Sequence, residues 1–110
     1  MIALSDLVLI HDTVRLVKPK FAVEVLFALA DGPLRYADLV RIITTMSHEM
    51  VYPSTVTDSL RKLQNNGLLQ HTAGDHDEAT YRLTPMGTDL VTLLNQVHAW
   101  GEAHRDKLDQ

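Results

Sequence analysis

The chain has 110 residues, 45% of them hydrophobic, with 10 Lys and Arg against 14 Asp and Glu, a formal net charge of −4 and no cysteine. That length suits one domain, because two separate hydrophobic cores are hard to build from so few residues. The absence of cysteine excludes disulfides, Cys-ligated zinc and a thiol redox switch. The net negative charge counts against a simple nucleic-acid binder.

The N-terminal segment 3–17 has apolar residues at helical spacing over a wide arc. It therefore predicts a helix that needs burial on more than one side. Polar residues interrupt it well before the ~20 apolar residues that a membrane span requires. Because it also lacks a basic leader and a cleavage site, we expect a cytoplasmic protein with no membrane partner.

Two helices and a short strand are predicted next. Segment 20–30 has core-facing apolar spacing, and Asp31-Gly32-Pro33 ends it, since Gly supplies a positive φ and Pro cannot continue a helix. Residues 34–36 suggest a strand of a single rung. A third helix is predicted over 37–45, with Tyr36, Leu39, Val40 and Ile43 on one apolar stripe, and 46–52 are predicted as a loop or a ragged helix extension.

A fourth helix is predicted over 54–66, with Pro53 and Ser54 at its start and Ser54 as the capping residue. Val56, Leu60 and Leu63 form its inward stripe, and Gly67 ends it. Small hydroxyls and an arginine on the outward side suit contacts to base edges in the DNA major groove. The outward set comprises Ser54, Thr55, Thr57, Asp58, Ser59, Arg61, Lys62 and Asn65.

Residues 68–72 and 80–84 are predicted as the two strands of a hairpin, with a polar loop over 74–78 between them. In the second strand, Tyr81 and Leu83 alternate with the polar Thr80 and Arg82. A last helix is predicted to begin at Thr84-Pro85, with Thr84 as its capping residue, and to run to about residue 107. Its apolar side chains recur at steps of three and four residues.

This order predicts a mainly α protein with a small β-hairpin (α+β), arranged as a winged helix-turn-helix with extra N- and C-terminal helices. Residues 1–110 form a single domain, divided into an N-terminal dimerisation helix (1–18), a winged-helix core (20–84) and a C-terminal dimerisation helix (85–110). The alternative is that the terminal helices only cover the core of one protomer. The predicted dimer interface comprises Leu4, Leu7, Val8, Val14, Leu90, Leu94, Val97 and Trp100.

Four sequence pieces resemble the HxlR-type (MarR-related) transcriptional regulators. They are Asp31-Gly32-Pro33-Leu34-Arg35-Tyr36, Thr57–Leu63 running into Gly67-Leu68, Tyr81–Gly87, and Trp100-Gly101-Glu102. The resemblance implies a DNA-binding regulator that is a homodimer through its terminal helices. PadR-type regulators are a second possible relative, because a Pro–Ser start to the recognition helix, here the fourth helix (54–66), also occurs there.

The sequence departs from the HxlR pattern in three places. Residues 47–52 look inserted between the third helix and the fourth, which form the helix-turn-helix pair. The hairpin, which would be the wing, is short and acidic, and the cysteine of thiol-sensing members is missing. Redox sensing is therefore not implied. Asp75, Asp77 and Glu78 would repel phosphates, so we predict that the wing tip does not enter the minor groove.

The leading interpretation is a sequence-specific regulator that binds double-stranded DNA, with the helix over 54–66 in the major groove. The alternative is a winged-helix protein-interaction module with weak or lost DNA binding, which the acidic balance favours. The predicted DNA-contacting residues are Arg35, Ser54, Thr55, Thr57, Asp58, Arg61, Lys62 and Arg82.

No enzyme motif is found, so we predict neither catalytic residues nor a cofactor. Ser47-His48-Glu49 are neighbours in one loop and do not face a common centre. His71, His76 and Asp77 lack the convergent ligands of a metal site and are interpreted as exposed hairpin residues. The predicted place for an unidentified small-molecule effector is between the terminal helices and the DNA-reading core.

Overall fold

The computed structural model describes residues 1–73 and 79–109, and it confirms a mainly α fold with a small sheet. The helices are α1 (Leu7–Arg15), α2 (Ala22–Leu29), α3 (Tyr36–Met46), α4 (Pro53–Asn65), α5 (Pro85–Ala103) and α6 (Arg105–Leu108), with a 3-10 turn (Leu4–Asp6) ahead of α1. The strands are β1 (Leu34–Arg35), β2 (Leu69–Thr72) and β3 (Thr80–Leu83).

The sheet has the order β1-β3-β2, and both strand pairs are antiparallel. The predicted single rung is confirmed as β1, where Leu34 pairs with Tyr81 of β3. On the other side of β3, Leu69 pairs with Leu83. This sheet places the hairpin beside the helical core, which is the architecture of a winged helix.

The core lies where α2, α3 and α4 meet the sheet. Leu26, Leu39, Ile43 and Leu60 are at most 1% exposed. Leu68, just ahead of β2, is fully buried with them. Burying side chains of this size stabilises a fold by about 1.5–3 kcal/mol each, so these contacts fix α4 firmly against the body.

The turn from α4 into β2 is closed by a polar junction with the start of α5. Gly67 has φ +81°, as its predicted place at the end of the helix requires. The Thr84 hydroxyl donates to the Gly67 carbonyl over 2.6 Å and accepts from the Gly87 amide over 3.1 Å. Thr84 therefore caps α5, as predicted, and also ties it to the end of α4.

Both terminal helices differ from their predicted extents. The predicted single helix over 3–17 begins as a 3-10 turn, and its α-helical part ends at Arg15. The last helix does not continue to residue 107, because His104 (φ −120°, ψ 21°) departs from helical geometry and separates α5 from α6. None of the helices in the described ranges has the length and apolarity needed to cross a bilayer.

Candidate nucleic-acid interface

Helix α4 begins one residue earlier than predicted. Pro53 occupies its first turn, and the cap position is Tyr52, whose backbone is extended at φ −98° and ψ 129°. The prediction that Ser54 caps the helix is therefore wrong. Proline is well suited to the first helical position because it lacks the N–H that would have no partner there.

The two faces of α4 are separated as a recognition helix requires. Val56 and Leu63 are fully buried and Leu60 is 1% exposed, so the predicted inward stripe is confirmed. Ser59 was predicted to face outward, but it is 2% exposed and lies among the core residues. Its position between Val56 and Leu63 on the helix surface widens the buried stripe, and a small side chain allows close packing there. The remaining predicted residues line the solvent side, with Thr55 half-buried and Ser54, Thr57, Asp58, Arg61, Lys62 and Asn65 exposed.

The first turn of α4 is bonded to the start of α3. Tyr36 Oη lies 2.9 Å from the Pro53 carbonyl oxygen and 3.0 Å from Thr57 Oγ1. Thr57 Oγ1 lies 3.0 Å from the same carbonyl. The sequence pattern placed Tyr36 in the apolar stripe of α3 and gave no sign of this network, because the position of a phenol hydroxyl depends on which helix faces it.

The two cations of α4 share one carboxylate. Lys62 Nζ lies 3.1 Å from Asp58 Oδ2, and Arg61 Nη1 lies 3.8 Å from Asp58 Oδ1. All three side chains are more than half exposed, so these pairs contribute little to stability. Asp58 therefore lowers the positive potential of α4 without locking either cation in place.

The two predicted arginines outside α4 lie on one face of the sheet. Arg35 pairs in register with Thr80, two residues before Arg82 along β3, and side chains two residues apart point to the same side. Arg82 also lines a cleft of about 320 Å³ with residues 29–33 and Thr88. The structure therefore places Arg82 beside the α2–β1 connection and the start of α5.

An aromatic pair occupies the opposite face of the hairpin. The rings of His71 and Tyr81 are stacked with centroids 4.2 Å apart and an angle of 4° between the planes. Burial raises the pKa of the Tyr81 phenol, and the neighbouring Tyr36 phenol raises it further. Tyr81 therefore lies close enough to Tyr36 for the two phenols to interact electrostatically.

The predictions for the wing tip and for His76 fall outside the described residues. This applies to Asp75, Asp77 and Glu78 as well. His71 is exposed, as predicted, and stacks on Tyr81. Within residues 1–73 and 79–109, no three His, Asp or Glu side chains are placed to hold a metal ion.

The N-terminal helix exposes a large apolar surface in the single protomer. Leu4 is 84% exposed, Val8 61% and Val14 49%, and every residue of α1 is at least partly accessible. On α5, Val97 and Trp100 are 56% and 58% exposed. Leu7 is also exposed, whereas Leu94 is half-buried against the core.

Leu90 differs from the other predicted interface residues. It is 7% exposed and belongs to the core of the protomer itself, so it is not available to a partner. The helical spacing that groups Leu90 with Leu94 and Val97 does not separate these roles, because α5 leaves the core gradually: Leu94 is still half-buried against it and Val97 is exposed.

Two apolar grooves flank α5. One, of about 510 Å³, lies between α1 and α5 and includes Leu9, Ile10 and Val14 on one side and Leu93 and Val97 on the other. The second, of about 490 Å³, lies between α2 and α5. Its lining comprises Val23, Phe27, Leu94, Asn95, Val97 and His98.

Comparison with known proteins gives one family match and several similar structures. The model of the HxlR-like helix-turn-helix family matches residues 16–109. No curated protein sequence is significantly similar to the chain.

Among solved structures, the fold is similar to that of a chain from Enterococcus faecalis V583, described as a transcriptional regulator of the MarR family. That match has a TM-score of 0.82 and 22% identity, and it covers 99% of this chain and 98% of the other. The match to the redox regulator HypR in its reduced form has a TM-score of 0.75 and 24% identity, and it covers 91% of this chain and 96% of the other. The match to the reduced form of the transcriptional regulator YodB from B. subtilis has a TM-score of 0.76 and 19% identity, and it covers 93% of each chain. At these identities the likeness concerns the fold.

Proposed function

This chain belongs to the HxlR-like helix-turn-helix family of DNA-binding transcriptional regulators, and we propose that it acts as a homodimer with α4 of each protomer in a major groove. Membership of a family of regulators agrees with the prediction that the protein is not an enzyme. HypR is described as a redox regulator, but this chain contains no cysteine, so a thiol-based response is not part of the proposal.

The observation that carries the proposal is the division of α4 into a buried and a free face. Val56, Leu60 and Leu63 anchor the helix, while Ser54, Asp58, Arg61, Lys62 and Asn65 are exposed on its other side. A helix held in this way can enter a groove about 12 Å wide without unfolding any part of the protein. Hydroxyls and arginine on such a face can bond to base edges and phosphates.

The charge of α4 sets how DNA would be bound. Asp58 partly neutralises Arg61 and Lys62, but these exposed pairs are weak enough for phosphates to replace the carboxylate. Arg35 and Arg82 lie on the sheet and would add contacts to the backbone of the duplex. We therefore expect three or four cationic contacts from each protomer.

Dimerisation is supported by apolar surface that one protomer does not cover. The exposed side chains of α1 continue into the groove between α1 and α5 and form one apolar patch with it. Patches of this kind on soluble proteins are typical of interfaces. A two-fold pairing of α1 and α5 would present two α4 helices, and the two half-sites should lie about one helical turn (~34 Å) apart.

The experiment is a fluorescence anisotropy titration of DNA from upstream of the protein's own coding sequence, repeated at several salt concentrations. A dimer making six to eight phosphate contacts should give a slope of roughly −5 to −7 for log K against log salt. The double variant Arg61→Ala, Lys62→Ala should make this slope less negative by about 3 to 4, since a dimer loses four contacts.

The matched control is Arg105→Ala, Lys107→Ala, which removes the same charge from α6. It should leave the slope close to that of the unaltered protein. Binding that does not depend on salt, or equal effects of the two double variants, would reject the proposal.

Three finer expectations stay predictions. They are the cytoplasmic location, the subdivision at residues 18–20 and 84–85, and the small-molecule effector. The effector was predicted between the terminal helices and the DNA-reading core, and the groove between α2 and α5 supports that proposal because it separates one terminal helix from the core.

A further inference from the structure

Asp58 lies on the side of α4 that points away from the core. It comes two residues after Val56 and two residues before Leu60, and both of these are buried. Each residue of an α-helix advances by about 100° around the axis, so Asp58 stands about 200° from either of them. Its side chain is 54% exposed. A helix that enters the major groove by its exposed face therefore brings Asp58 towards the base edges.

The carboxylate of Asp58 needs a new hydrogen-bond donor when DNA binds. Asp58 is the only acidic residue of α4, and it contacts Lys62 Nζ at 3.1 Å and Arg61 Nη1 at 3.8 Å. These exposed pairs are weak, and both cations have longer side chains, so phosphates can draw them away. An ionised carboxylate only accepts hydrogen bonds. Once it has lost both water and its cations, it is costly to bury unless a donor faces it.

The base edges in the major groove differ in whether they provide that donor. Cytosine N4 and adenine N6 donate, whereas guanine presents O6 and N7 and thymine presents O4, which all accept. Adenine also places the acceptor N7 beside its amino group, and this nitrogen repels a carboxylate. Cytosine has no acceptor at that edge. Of the four bases, cytosine is therefore the best match for Asp58.

We propose that Asp58 is a specificity-determining residue, which selects cytosine at one position of each half-site by accepting a hydrogen bond from N4. This inference rests on the proposed function, since it requires α4 in the major groove. The competing role is purely electrostatic. In that case the carboxylate lowers the affinity for every duplex equally and leaves the choice of base unaffected, so base frequencies distinguish the two roles.

The experiment selects bound sequences from a library of randomised 30-bp duplexes with the full-length protein and with Asp58→Asn. The unaltered protein should enrich cytosine over guanine and thymine at least about fivefold at one position of each half-site. An asparagine amide both donates and accepts, which matches N6 and N7 of adenine. Asp58→Asn should therefore change the preferred base at that position from cytosine to adenine, while the other positions keep their preferences.

Two further variants separate the hydrogen bond from the charge. Asp58→Ala has neither donor nor acceptor, so the preference for cytosine at that position should disappear. Asp12→Asn is the matched control, because Asp12 pairs with Arg15 at the same spacing of three residues on α1, over 3.1 Å. It removes the same charge away from α4 and should leave every base frequency unchanged.

The outcomes separate this inference from the proposed function. If the unaltered protein enriches no sequence, the proposed function fails and the inference fails with it. If a sequence is enriched but Asp58→Asn and Asp58→Ala leave every base frequency unchanged, only the inference is overturned. The same holds if the position that responds to these variants carries guanine or thymine in the sequences bound by the unaltered protein.

Discussion

The backbone carbonyl oxygen of Leu68 lies 2.2 Å from the point at which a side chain on Gly87 would place its Cβ atom. Gly87 is buried in the first turn of α5, and Leu68 connects α4 to β2. This close approach of two backbones holds the start of α5 against the connection between α4 and β2.

Gly87→Ala should therefore destabilise the protein strongly. The Cβ atom meets backbone that cannot rotate away, so α5 has to move, at a cost of about 2–4 kcal/mol. Urea denaturation followed by circular dichroism measures the change.

The control is Gly101→Ala in the same helix, where the nearest atom is 3.9 Å away. That substitution should stabilise the protein by about 0.5–1 kcal/mol, because alanine favours a helix over glycine. Similar losses in both variants would contradict the steric explanation.

Asp58→Asn should strengthen binding to DNA of unrelated sequence about two- to fivefold at low salt. The substitution removes the carboxylate that competes with phosphate for Arg61 and Lys62, and weak exposed pairs carry energies of this size. Anisotropy titrations with a duplex of scrambled sequence measure the effect. Asp12→Asn is the control, since Asp12 pairs with Arg15 over 3.1 Å on α1. A gain of the same size in the control would mean that net charge alone is responsible.

Val97→Glu should produce a monomer. Val97 is 56% exposed in the single protomer and borders both apolar grooves beside α5, so a carboxylate there would be buried in the proposed interface. We expect dimer dissociation to become at least about tenfold easier, measured by sedimentation equilibrium. Gln96→Glu adds the same charge at the adjacent position, which lines neither groove, and should remain dimeric. An unchanged mass for Val97→Glu would place the interface elsewhere.

The sequence predicted the elements whose signals are local. The inward stripe of α4 follows from helical spacing, the turn at Gly67 requires a positive φ, and the Thr84 cap precedes a proline. Each of these depends on a few adjacent residues. They sufficed to place the helices and the hairpin in the correct order.

Features that depend on distant parts of the chain were missed. Phe21 has a φ of 64°, which a phenylalanine rarely adopts, and its burial in the core holds it there. Ser59 is buried because of what packs against α4, and serine at that spacing reads equally well as exposed. Tyr36 bonds across to Thr57, 21 residues away, and no periodicity indicates such a pair.

The phenol of Tyr81 should make stability decrease at alkaline pH. Its pKa lies above the ordinary value of 10.0, first because it is partly buried and second because of Tyr36, so the folded state favours the neutral phenol. As the pH rises through 10, the phenol ionises in the unfolded chain before it ionises in the folded one. This part of the stability is therefore complete below pH 10 and is lost between pH 10 and the higher folded pKa.

In Tyr81→Phe, the loss of unfolding free energy over this range should be smaller, as measured by urea denaturation at intervals from pH 8 to pH 11. His71→Phe, which keeps a ring stacked on Tyr81, should leave the alkaline decrease in place. Equal slopes for the unaltered protein and Tyr81→Phe would show that other groups cause the alkaline loss.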